Sequence, residues 1–151
     1  MATMFRNLLN RLFTEEPALT PLATEDAEIA IAALLVRLAR ADDHYSAAER
    51  RRIDQVLARL HDLDPAEASE RRSVAEMIEA EAPDTVRFTR LIKDRVLLED
   101  RVAIIRALWD IAYADERRNA HEETMIRLMS GLLGVTDRDS AFQRQRAAAA
   151  R

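Results

Sequence analysis

The sequence predicts an all-α protein, and three observations carry that prediction. Glycine and proline, the residues that cost most inside helices, number only two and four among 151 residues, while Ala, Leu, Arg and Glu recur throughout. Apolar residues fall at three- and four-residue spacing along most of the chain, and no stretch sustains the period-two alternation of a half-buried strand. One helix–turn–helix segment also occurs twice, at residues 34–49 and 107–122, offset by 73 positions. The expected architecture is a single-domain helical bundle of about seven to eight helices with two pseudo-symmetric helical halves.

In chain order, residues 1–13 read as an amphipathic N-terminal helix. Phe5, Leu8, Leu9, Leu12 and Phe13 share one face, and Arg6, Asn7, Asn10 and Arg11 fill the other. That face suits either the flank of the domain or, through residues 3–13, a peripheral membrane contact or a partner's groove. Residues 14–23 read as a linker, because Pro17 and Pro21 interrupt any helix. The helical domain spans 24–140, and 141–151 reads as a helical or disordered tail.

Within the domain, Thr24 is placed to cap a helix running to about Ala41, with Glu25, Asp26 and Glu28 near its positive end. Its apolar residues cover more than one stripe, so this helix is expected at the centre. Ser46 and Glu49 form a Ser-x-x-Glu capping box for a helix bearing Ile53, Val56, Leu57 and Leu60. Asp64, Pro65 and Glu67 repeat the start signal for a polar helix to about Ala80, with Ala68, Val74, Met77 and Ile78 available for burial. Pro83 is expected to open a helix that buries Val86, Phe88, Leu91 and Ile92. The second copy starts near Leu97 or Leu98 and carries Val102, Ile104, Ile105, Leu108, Trp109, Ile111 and Ala112. Asn119 then caps a helix with Met125, Ile126, Leu128, Met129, Leu132 and Leu133 that ends at Gly134, and Thr136 or Asp137 caps a last helix to about Ala147.

Composition excludes several classes. The absence of cysteine removes disulfides, thiolate zinc sites and a cysteine nucleophile. With 23 basic against 27 acidic residues and a formal net charge of −4, the chain has no general attraction to nucleic acid. Its apolar runs fall short of the roughly 18–20 residues of a membrane span, and the N-terminus lacks the block of a secretory signal. The expected location is cytoplasmic, with a peripheral position at the inner membrane if the N-terminal helix is free. His44, His61 and His121 have no zinc-motif spacing and read as solvated residues, and two glycines cannot build a phosphate loop. No enzyme class and no organic cofactor is indicated.

The repeat carries the chemistry. Asp42 falls on Asp115 and Glu49 on Glu122, each Asp just past one helix and each Glu in the first turn of the next. Folded as two facing hairpins, the copies would gather four carboxylates, the hard oxygen set that suits Ca²⁺, Mg²⁺ or Mn²⁺. A structural reading stands beside it. Glu49 and Glu122 sit where helix capping alone explains a Glu, and Arg50, Arg51, Arg52, Arg117 and Arg118 are close enough in sequence to neutralise them. Capping does not account for the Asp that follows the first helix in both copies. Tyr45, Trp109 and Tyr113 flank the turns as core residues or as part of a partner's seat.

The Ala-Asp-x-x-x-Ser-x-x-Glu of 41–49, the Ala-Asp-x-x-x-Asn-x-x-Glu of 114–122, the Leu-Trp-Asp-Ile-Ala-Tyr-Ala-Asp of 108–115 and the Arg-Phe-Thr-Arg-Leu-Ile of 87–92 resemble the TerB family of tellurite-resistance proteins, in its bacterial branch of stand-alone TerB-like proteins. The resemblance covers most of 25–140. It implies an all-helical domain of two pseudo-symmetric halves, a divalent-cation site at Asp42, Glu49, Asp115 and Glu122, and protein partners in metal (tellurite) or envelope stress, without catalysis. The alternatives are a purely structural interaction domain without metal and a peripheral membrane adaptor. The family commonly has Gly after each Asp, where this chain has Asp43 and Glu116; Gly accepts a positive φ that Glu resists, so a reshaped turn is implied.

Overall fold

The structure, a computed structural model, describes residues 8, 12, 24–41, 43–82, 84–114 and 120–150. Among them are seven helices and no strand: α1 Thr24–Ala39, α2 Ala47–His61, α3 Pro65–Glu81, α4 Thr85–Arg95, α5 Leu98–Ala112, α6 Ala120–Leu132 and α7 Asp137–Ala149.

The punctuation follows local chemistry. Ser46 caps α2 through its Oγ, which accepts the Glu49 N–H at 3.1 Å, while Glu49 Oε1 accepts the Ser46 N–H at 3.0 Å. Asp64 and Glu67 make the same reciprocal box for α3, with Pro65 at the first turn. Asp84, not Pro83, sets the start of α4: its carboxylate accepts the Arg87 N–H at 2.9 Å and satisfies a donor the helix leaves open. Thr136 caps α7, which runs two residues past Ala147 to Ala149, with Gln143 and Ala147 buried along it. Thr24 lies inside α1, and that helix stops at Ala39. After α6 the chain turns at Gly134, whose φ of 73° is the left-handed conformation glycine adopts without strain. The Asn119 cap and the linker at 14–23 lie outside the described residues.

Helix α1 is the hub. Twelve of its sixteen residues are buried, so it presents apolar surface all round and packs against α2, α3, α4, α5 and α6. The polar helix α3 packs on it through Ala68, Ala75 and Ile78, and Arg37 of α1 and Arg40 just past its end reach across the seam. Arg37 Nε meets Glu79 Oε1 at 3.2 Å and Arg40 Nη1 meets Glu79 Oε2 at 2.6 Å, while Arg37 Nη2 donates to the Ala82 carbonyl at 3.0 Å. Met77, expected inside, is 72% exposed, because Ala75 and Ile78 occupy the buried stripe. Val86 and Leu128 are likewise exposed.

The repeat is larger than a hairpin. Shifted by the same 73 positions, α1, α2 and α3 fall on α5, α6 and α7, with α4 joining the halves. Packing follows suit: α1 lies on α3 as α5 lies on α7, and the α1–α2 and α5–α6 hairpins share a core. Thr24, Ala27 and Ile31 of α1 line one cleft with Leu97, Asp100 and Ile104 at the start of α5, each pair separated by the repeat's offset. Equivalent residues of the two halves thus line one cleft. Leu8 and Leu12 are helical and fully buried in the core, and Arg87 donates to the Leu12 carbonyl.

Candidate metal centre

Glu49 and Glu122, equivalent in the two halves, occupy the first turns of α2 and α6 and are 1% and 2% exposed. Two carboxylates buried at matching positions are unusual, because removing the charge from water costs several kcal/mol, of order, unless donors or a cation compensate. Part of the compensation at Glu49 is its capping box. The position at a helix N-terminus, where the dipole favours an anion, supplies more at both sites. Asp42 and Asp115, the other half of the expected quartet, lie outside the described residues, as does Glu116. Among the described residues no three His, Asp or Glu side chains gather in a way that could hold a metal ion.

The turn after α1 speaks to whether these residues suit a cation. Asp43 adopts φ 61°, the left-handed region in which the resembled family commonly places Gly. Aspartate is among the few non-glycine residues that visit this region readily. With oxygen donors alone and no cysteine or histidine in the set, the chemistry fits a hard divalent cation better than zinc or copper.

The arginines expected to neutralise the carboxylates do something else where they are described. Arg50 covers the Tyr45 ring with its guanidinium 5.1 Å from the centroid, and Arg40 lies 5.2 Å from the same ring. Arg51 and Arg52 are exposed and make no ion pair among the described residues. Between these two cations Tyr45 is partly buried, and burial together with the Glu76 carboxylate pushes its hydroxyl up to about 12. In the second half Trp109 is buried, stacks on Tyr113 with centroids 6.2 Å apart, and donates from Nε1 to Ser140 Oγ at 3.3 Å. Both aromatic groups brace the ends of α1 and α5 that lead into the acidic turns.

His61 corrects the reading of the histidines as solvated. It closes α2, its side chain is only 10% exposed, and Nδ1 lies 3.2 Å from Glu28 Oε1 of α1, whose other oxygen meets Arg71 of α3. Burial lowers its pKa below the ordinary 6.5; the Glu28 carboxylate works against that shift and Arg71 with it. No sequence signal marked it, because Glu28, His61 and Arg71 are brought together only by tertiary packing.

A family model described as "Tellurite resistance protein TerB" matches residues 28–145, the span from the first turns of α1 to most of α7. No curated protein and no solved structure matches the chain.

Proposed function

The chain belongs to the TerB family, and from that premise we propose that it is a non-catalytic helical module that binds one divalent cation at Asp42, Glu49, Asp115 and Glu122 and presents the loaded centre to protein partners under metal or envelope stress. The observation that carries this reading is the matched burial of Glu49 and Glu122 at the openings of equivalent helices. A cation there would offset the desolvation of both carboxylates at once. The left-handed φ at Asp43, a conformation that suits the Gly of the resembled family, supports it.

In this role Glu49 and Glu122 would be the buried ligands and Asp42 and Asp115 the ligands on the turns, with Ca²⁺, Mg²⁺ or Mn²⁺ supplying charge neutralisation. The test is thermal melting with and without each cation. Ca²⁺ or Mn²⁺ raises the melting temperature of the wild type and leaves the double variant Asp42→Ala, Asp115→Ala where it was. Equal melting with and without cation in the wild type would overturn the proposal.

The capping box at Glu49 favours a second reading, an interaction domain in which the carboxylates are structural. Under it, Glu49→Ala costs about 0.5–2 kcal/mol whether or not a cation is present. A membrane role draws less support, because Leu8 and Leu12, two of the apolar residues it would use, are buried in the core. Among the described residues no helix is long and apolar enough to cross a membrane.

A further inference from the structure

Away from the acidic turns, α2, α5 and α7 enclose a trough of about 430 Å³. Helix α5 lines it with two short side chains, Val102 and Ala103, and longer side chains come from α2 and α7. Leu60 adds an apolar flank, and three guanidiniums enter from three helices: Arg59, Arg106 and Arg146.

These cations are organised. Asp110, buried on α5, takes Arg59 Nη2 at 3.0 Å and Arg106 Nε at 3.3 Å, fixing both guanidiniums while using one of the five N–H donors on each. Arg146 rests 6.0 Å from the Phe142 ring centroid and has no ion pair among the described residues. Asp110 thus engages two of the three guanidiniums. The acid on the trough's own lining, Glu99, sits one helical turn before Val102 and Ala103 and seven residues before Arg106, about 10 Å along the helix axis. The three guanidiniums outnumber the acids, Asp110 bonded to two of them and Glu99 beside Val102 and Ala103, so the trough is net basic, adjoined by the buried Gln143, with a small apolar surface of Leu60, Val102 and Ala103.

We infer that this trough is a binding site for a small organic phosphate monoester, its phosphate on Arg59, Arg106 and Arg146 and its apolar portion on Leu60, Val102 and Ala103. Guanidinium forks match phosphate oxygens in bidentate geometry, and the small apolar surface selects a modest hydrocarbon body over free phosphate. The inference is independent of the cation centre and uses none of its residues.

The probe is hexyl phosphate titrated into the full chain, followed by amide NMR shifts. Saturable shifts centred on residues 59–60, 102–106 and 143–146, with inorganic phosphate shifting the same amides at least about tenfold more weakly, are the expected result. Arg146→Gln, which loses only a surface ring contact, should weaken hexyl phosphate about tenfold or more without moving the melting temperature. Sedimentation with phosphatidic acid vesicles, against phosphatidylcholine as control, separates the sources. Hexyl phosphate binding with selective vesicle capture supports a lipid headgroup, and binding without capture supports a soluble phosphate. Shifts that do not saturate, map elsewhere or survive Arg146→Gln unchanged would overturn the assignment.

Discussion

At residue scale the most informative group is His61. Its pKa is lowered in the fold by burial, so the unfolded chain takes up a proton near pH 6.5 while the folded chain still holds the imidazole neutral. The unfolded state then binds more protons, and linkage makes the folded state lose stability as pH falls below about 6.5, with the full contribution present above it. Urea unfolding at about pH 7.5 and about 5.5 should show that loss in the wild type, and His61→Gln should remove this part of it; an unchanged slope in the variant would contradict the assignment. The sequence offered no hint of this, since Glu28, His61 and Arg71 lie far apart in the chain and on separate helices. Asp43 is a contrasting case. The missing Gly after Asp42 is plain in the sequence, and only the backbone reveals that Asp43 adopts a left-handed φ.

At the scale of single helices, the starts were legible wherever a polar cap stands beside its N3 partner, as at Ser46–Glu49 and Asp64–Glu67. They were displaced where proline drew attention from the true cap, as at Pro83 and Asp84. Which face of α3 turns inward was not legible. Its few apolar residues leave several stripes open, and in the fold Ala68, Ala75 and Ile78 turn inward while Arg37 of α1 and Arg40 just past its end close on Glu79. Glu79 is the pivot of that seam, with two guanidiniums on its carboxylate and the Arg37 fork continuing to the Ala82 carbonyl. Glu79→Ala would leave both cations partly buried without their counter-charge and should cost about 2–3 kcal/mol by chemical unfolding, less than a fully buried pair because Arg40 reaches solvent. A loss below about 0.5 kcal/mol would mean that α3 is held by its apolar contacts alone.

For the whole molecule, the repeat was visible in the sequence as two helix–turn–helix copies, and the fold extends it to three helices per half with α4 as the joint. The third member is not legible in the sequence, because α3 and α7 share few residue types and meet different partners: Arg71 of α3 reaches Glu28, whereas its equivalent Arg144 of α7 reaches Tyr113 and Glu123. Leu8 and Leu12 are buried in the core, so Leu12→Ala should cost about 2–5 kcal/mol, whereas a free surface helix would lose almost nothing. Whether the two halves share one chemical centre rests on the acidic turns, of which sequence supplied the residue types and the fold supplied the buried glutamates and the left-handed φ at Asp43. The most direct measurement is paramagnetic broadening of amide signals by substoichiometric Mn²⁺. If one ion sits between matched halves, signals at residues 43–50 and at residues 120–123 fade together at the same Mn²⁺ ratio, and Ca²⁺ restores both. Broadening confined to one turn, or none at either, would contradict a shared centre.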